Sequence, residues 1–92
     1  MISRLIPTAI TEALTATPNW ELSNGAIIRT FAFKNFAEAL AFVNRVGELA
    51  EAMDHHPDID IRWNKVRLEL STHSAGGLTK LDFDLASQIN AL

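Results

Sequence analysis

From Ile59 to Leu70 the chain alternates apolar and charged residues with period two on both sides of one short break. Ile59-Asp60-Ile61-Arg62-Trp63 is followed by Asn64-Lys65 and then by Val66-Arg67-Leu68-Glu69-Leu70-Ser71-Thr72. Side chains alternate across a strand, so this pattern demands an antiparallel hairpin with one buried face and one wet face. A two-residue loop at Asn64-Lys65 pairs Trp63 with Val66, Ile61 with Leu68 and Ile59 with Leu70, all apolar. The same register sets Arg62 opposite Arg67 and Asp60 opposite Glu69, like charges that would have to be compensated diagonally. It also returns the chain after Leu70 to the place where the hairpin began.

A second hairpin lies upstream. Trp20-Glu21-Leu22-Ser23 and Ala26 to Phe33 flank Asn24-Gly25, the preferred two-residue turn because both positions need positive φ. The expected register sets Ser23 against Ala26, Leu22 against Ile27 and Trp20 against Arg29, with Trp20, Leu22, Ile27, Phe31 and Phe33 on the core face. Between the hairpins, Asn35 with Glu38 three residues on is a capping box, so a helix is predicted over 36–53. Its apolar residues Phe36, Leu40, Val43, Val46 or Gly47, Ala50 and Met53, widened by Phe42 and Leu49, form a broader arc than one sheet face needs. Pro57 disfavours helix in the residue before it, so this helix stops near Asp54-His55-His56. A short helix around 8–15, ended by Pro18, precedes the first hairpin. Thr79-Lys80-Leu81-Asp82 is a second capping box and opens a last amphipathic helix through Leu81, Leu85, Ile89 and Leu92. The predicted order is α-β-β-α-β-β-α. This is an α+β fold with a four-stranded antiparallel sheet, three helices on one face, and one domain over residues 1–92.

Composition narrows the function. With 8 basic and 11 acidic residues the net charge is −3, and no Lys/Arg cluster appears, which argues against direct nucleic-acid binding. No apolar run approaches the ~20 residues that span a bilayer. The first residues lack the apolar core and cleavage site of a signal peptide, so the chain is read as cytoplasmic. With no cysteine there is neither a disulfide nor a thiolate site. At 48% hydrophobic, a 92-residue chain carries more apolar residues than its own thin core needs. The surplus points to a second buried surface between subunits.

The concentrated chemistry lies in the histidines. All 3 are His55, His56 and His73. The first two end the long helix, and the hairpin brings the third back to them. Imidazole exchanges protons near neutral pH, so a cluster of three points to general acid–base work. Taken singly, each could instead complement a helix C-terminus. Zinc bound by the histidines with Glu51, Asp54 or Asp58 ranks lower, because adjacent histidines on a turn rarely share an ion and no H-E-x-x-H is present. No G-x-S-x-G marks a nucleophilic serine. Gly76-Gly77 before a capped helix is a weak anion signal. Asp82 is read as the capping-box acid and a candidate histidine partner, and Trp20 and Trp63 as core or rim.

These positions carry a spaced pattern. It runs from Glu51 to His55-His56-Pro57, Trp63, His73 and Asp82, within Asp54-His55-His56-Pro57, Asn64-Lys65-Val66, Leu70-Ser71-Thr72-His73 and Gly77-Leu78-Thr79. Together with Trp20-Glu21-Leu22 and Phe31-x-Phe33, it resembles the pterin-4a-carbinolamine dehydratases from about residue 20 to the C-terminus. That family is also known as the dimerisation cofactor of a homeodomain transcription factor. The resemblance implies dehydration of 4a-hydroxytetrahydrobiopterin to quinonoid dihydrobiopterin, recycling the cofactor of aromatic amino-acid hydroxylases, with no metal or cofactor. It implies His55, His56 and His73 as catalytic histidines: His55 and His73 as the acid–base pair, His56 holding the pterin. Glu51, Asp54, Trp20, Asp82, Ser71 and Thr72 are the implied substrate-binding residues, Glu51 and Asp82 orienting imidazoles or binding the ring. It further implies a homodimer or homotetramer through helix 36–53 and the sheet edges. The competing expectation is a non-catalytic dimerisation module with an idle histidine site.

Overall fold

The computed structural model describes residues 2–92. Helix α1 (Pro7–Ala16) leads into strands β1 (Glu21–Ser23) and β2 (Ala26–Ala32). Helix α2 (Phe36–Met53), strands β3 (Asp58–Arg62) and β4 (Lys65–Leu70), a single 3₁₀ turn (His73–Ala75) and helix α3 (Lys80–Asn90) follow. The four strands form one antiparallel sheet in the order β1-β2-β4-β3. The predicted element order and fold class hold. Inward-facing Val66, Leu68 and Leu70 of β4 are completely buried against the helices, while Lys65 and Arg67 point away and are exposed.

Local signals set most boundaries. At the first hairpin Asn24 and Gly25 both take positive φ, 49° and 78°, and Ser23 pairs with Ala26 and Leu22 with Ile27 as expected. Helix α2 spans the predicted residues. Asn35 Oδ1 accepts from the Glu38 amide at 2.9 Å, but the Glu38 carboxylate reaches back to the Lys34 amide at 3.2 Å rather than to Asn35. Arg29 lies on the helix side of β2. Its guanidinium donates to Asn90 Oδ1 at 2.5 Å and stacks 4.2 Å from the Phe31 ring centroid. Burial lowers its pKa from the usual guanidinium range.

The second hairpin differs from expectation. Arg62 pairs with Lys65, Ile61 with Val66, Asp60 with Arg67, Ile59 with Leu68 and Asp58 with Glu69. The turn therefore holds Trp63 and Asn64, one residue earlier than predicted. Trp63 adopts φ +48°, and its side chain is 66% exposed. The physical reason is tertiary. Asn64 Nδ2 donates to the Phe33 carbonyl at 2.9 Å, and the Phe33 amide donates to the Asn64 carbonyl at 2.9 Å. The end of β2 thus decides which residue turns. Every pairing shifts by two positions, so no side chain changes face. The predicted Arg62/Arg67 and Asp60/Glu69 oppositions disappear, and Asp60 faces Arg67 instead. Like charges remain at Arg62/Lys65 and Asp58/Glu69. Ion pairs along each strand at 3.1 Å, Arg62 with Asp60 and Arg67 with Glu69, offset them.

Candidate active site

The end of α2 aims the first histidine inward. The Asp54 amide donates to the Glu51 carbonyl at 3.2 Å and the His55 amide to the Ala50 carbonyl at 3.1 Å, with Asp54 left-handed at φ 50°. This is the double-bonded Schellman closure, in which one left-handed residue reverses the chain. Asp54 tolerates that conformation better than most residues would. Its side chain is exposed, and its backbone reverses the chain ahead of His55.

His55 is buried, and its Nε2 lies 2.6 Å from Asp82 Oδ1. Asp82 is 0% exposed. Its other oxygen, Oδ2, accepts from the Thr79 amide at 2.9 Å and from the Thr72 hydroxyl at 2.8 Å. With the Thr72 hydrogen committed to Asp82, the Thr79 hydroxyl donates to Thr72 Oγ1 at 2.8 Å while accepting from the Leu81 amide at 3.2 Å. The network is closed: among the described residues no buried side-chain nitrogen or oxygen lacks a partner. A carboxylate only accepts, so His55 Nε2 donates to Asp82 and Nδ1 is the ring nitrogen left to give or take a proton. Nδ1 has no partner among the described residues and is not among unsatisfied buried atoms. It is therefore the edge of the ring that reaches the surface.

The β3–β4 hairpin brings its two flanks together, and Asp82, at the start of α3, bonds both His55 before it and Thr72 after it. His73 follows Thr72 directly and is exposed on the 3₁₀ turn. It walls a hollow of about 290 Å³ shared with half-buried Ser71 and the Asn24-Gly25 turn. His56 is also exposed and pairs through Nε2 with Glu51 Oε2 in the last turn of α2. The three imidazoles make no hydrogen bond to one another among the described residues. Asp82 and Thr72 connect His55 to the His73 turn.

Several expected ligand-binding residues have other positions. Asp82 is too deeply buried to touch a ligand, and the Thr72 hydroxyl is taken by Asp82. Asp82 meets His55 directly, and Thr72 meets it through Asp82. Trp20 is a core residue: its Nε1 donates to Asn90 Oδ1 at 2.8 Å, and its ring meets Phe31 edge-on at 6.4 Å. Asn90 stands at the opposite end of α3 from Asp82, about 12 Å along the axis at 1.5 Å per residue. The fold thus does not bring Trp20 to the histidines of its own chain. The sequence marks Thr79 as a cap; its hydroxyl also meets Thr72 across the loop between β4 and α3. Among the described residues no group of three or more His, Asp or Glu side chains could hold a metal ion, and no helix is long and apolar enough to cross a membrane.

The fold and this site define a small α+β protein with a buried Asp–His pair beside two exposed histidines. Residues 3–92 match the family described as pterin 4 alpha carbinolamine dehydratase, and the chain belongs to that family. A chain of Acidobacterium capsulatum with the provisional name pterin-4-alpha-carbinolamine dehydratase is 55% identical over 91 residues, covering 99% of each. A similarly named chain of Chloroflexus aurantiacus is 55% identical over 89 residues, covering 97% of this chain and 96% of that one. Among solved structures, a transcriptional coactivator/pterin dehydratase of Brucella melitensis superposes with a TM-score of 0.93 at 38% identity, covering 97% of both chains. A pterin dehydratase-like RuBisCO assembly factor of the alpha-carboxysome shares the fold at TM-score 0.64 and 22% identity, over 78% of this chain and 83% of that one.

Proposed function

We propose that this chain dehydrates a 4a-hydroxytetrahydropterin, with imidazoles as acid and base. The observation that carries the reading is the buried Asp82–His55 contact, which leaves Nδ1 as the reactive edge of that ring. Family membership and the names of close relatives supply the substrate class. One imidazolium protonates the 4a-hydroxyl, the C4a–O bond breaks, and water leaves. A neutral imidazole takes the N5 proton, so the pterin loses one water in total and becomes the quinonoid dihydropterin. His55 and His73 are the acid–base pair in this reading. His56, steadied by Glu51, holds the pterin ring, and Ser71, which lines the same hollow as His73, meets the ring's edge in this reading. The product is the form that a reductase would return to an aromatic amino-acid hydroxylase.

The test is turnover of a freshly generated 4a-hydroxypterin with chelator present. Wild-type protein should accelerate dehydration, and His55→Ala together with His73→Ala should remove about a hundredfold or more of that acceleration. A double variant running at the wild-type rate would overturn the acid–base assignment.

Self-association is part of the same proposal. Phe36 and Leu40 lie on the predicted α2 stripe but stay 46% and 41% exposed, while Ala39, Val46 and Ala50 face the core. The surplus apolar arc fits a second copy of the chain packed against α2.

A further inference from the structure

Chain segment 2–6 crosses the loop that carries His73, and nothing in the dehydration chemistry above uses it. The Leu5 amide donates to the Leu78 carbonyl at 2.8 Å. Arg4 Nη1 reaches the Gly76 carbonyl at a long 3.5 Å. The loop itself is closed by a bridge between Thr72 and Gly77, with the Thr72 amide donating to the Gly77 carbonyl at 2.9 Å. Gly76 and Gly77 form a thin wall with His73 and Ser71 on one side and Arg4, Leu5 and Leu22 on the other.

Gly77 shows how tightly the arm is seated. A Cβ built on it would lie 2.9 Å from Arg4 Cδ and 3.3 Å from Arg4 Cγ. Its backbone is not left-handed, since the positive-φ glycines are Gly25 and Gly76. Any residue could therefore adopt its φ, and the Arg4 stem is what excludes a side chain there. The wall needs a glycine because an aliphatic chain lies flat against it.

We infer that Arg4 is a positioning residue for His73, its methylene stem bracing the Gly76-Gly77 wall from behind while Leu5 anchors the arm. The inference rests on the dehydratase reading only for its kinetic consequence. An imidazole displaced by a fraction of an ångström loses its alignment with the proton it gives or takes. The long Arg4–Gly76 contact contributes less than the packing of the stem.

The seat makes a double-mutant cycle diagnostic. Gly77→Ala expels a flexible stem rather than backbone, so it should displace the brace without unfolding the domain. Arg4→Ala removes the same brace from the other side. Each should lower kcat/KM for dehydration about tenfold, and the double variant should be no worse than either alone. Arg4→Met, which keeps a stem and loses the cation, should stay within about twofold of wild type. Fully additive losses, or an Arg4→Met variant as impaired as Arg4→Ala, would overturn the inference. A readout independent of turnover is the nuclear magnetic resonance spectrum of the His73 ring, together with hydrogen exchange at the Ala75, Gly76 and Gly77 amides. Arg4→Ala should shift the ring signals and speed exchange there, while His55 signals stay in place. Unchanged His73 signals and exchange would sink the bracing role even in an active enzyme. If these signals change in a protein that never dehydrates the pterin, the dehydratase reading fails and the brace stands.

Discussion

At the scale of single residues, Asp82 bears the greatest load. Its carboxylate accepts from His55, Thr72 and the Thr79 amide while wholly excluded from water. An amide in its place cannot accept on both sides: if the oxygen faces His55, the NH₂ group meets two donors, and if it is flipped, it meets the imidazole N–H. Asp82→Asn should therefore leave a folded protein by circular dichroism with kcat lowered about a hundredfold or more. A variant within threefold of wild type would show that His55 needs no oriented tautomer. Asp82→Ala strands several buried donors and should cost about 3 kcal/mol in urea unfolding. The cap was legible because Thr79 and Asp82 stand three residues apart. The histidine contact spans 27 residues, and spacing alone left it as one option among several.

At the scale of elements, what the sequence made legible followed the range of the forces involved. Helix α2 begins and ends where its cap and the approaching Pro57 place it, and the Asn24-Gly25 turn forms as its own backbone preferences dictate. The β3–β4 turn does not, because a partner 31 residues away, Phe33, pins Asn64. The alternation correctly sorted Ile59, Ile61, Val66, Leu68 and Leu70 to one face, since a slip of two preserves faces. It could not see the slip. The result strands Trp63 at φ +48°, a conformation costing a non-glycine residue roughly 1–2 kcal/mol. Trp63→Gly should relieve more strain than it adds in chain entropy. Urea unfolding is expected to show a gain of about 0.5–1 kcal/mol. A loss above 1 kcal/mol would mean that the half-stripped indole packs more strongly than its exposure implies.

At the scale of the whole molecule, alternation identified the wet face but not the neighbours. The order β1-β2-β4-β3 rests on the β2–β4 pairing, from Ile27 with Leu70 to Ala32 with Lys65, which no local pattern encodes. The excess of apolar residues was legible, and the structure locates part of it on α2. Phe36→Glu with Leu40→Glu should leave the helical signal intact and convert the protein from a dimer or larger species to a monomer in sedimentation at micromolar concentration. A wild-type protein already monomeric there would refute assembly through this face. A domain this small has little interior to spare, and its site is built where α2 ends, β4 ends and α3 begins.

That shared corner has a thermodynamic consequence. Asp82 starts a helix with one oxygen and orients an imidazole with the other. Fraying of α3 and alignment of His55 meet in one carboxylate. By reciprocity, whatever factor ordering of the first turn of α3 contributes to ligand affinity at His55, the ligand returns to the ordering of that turn.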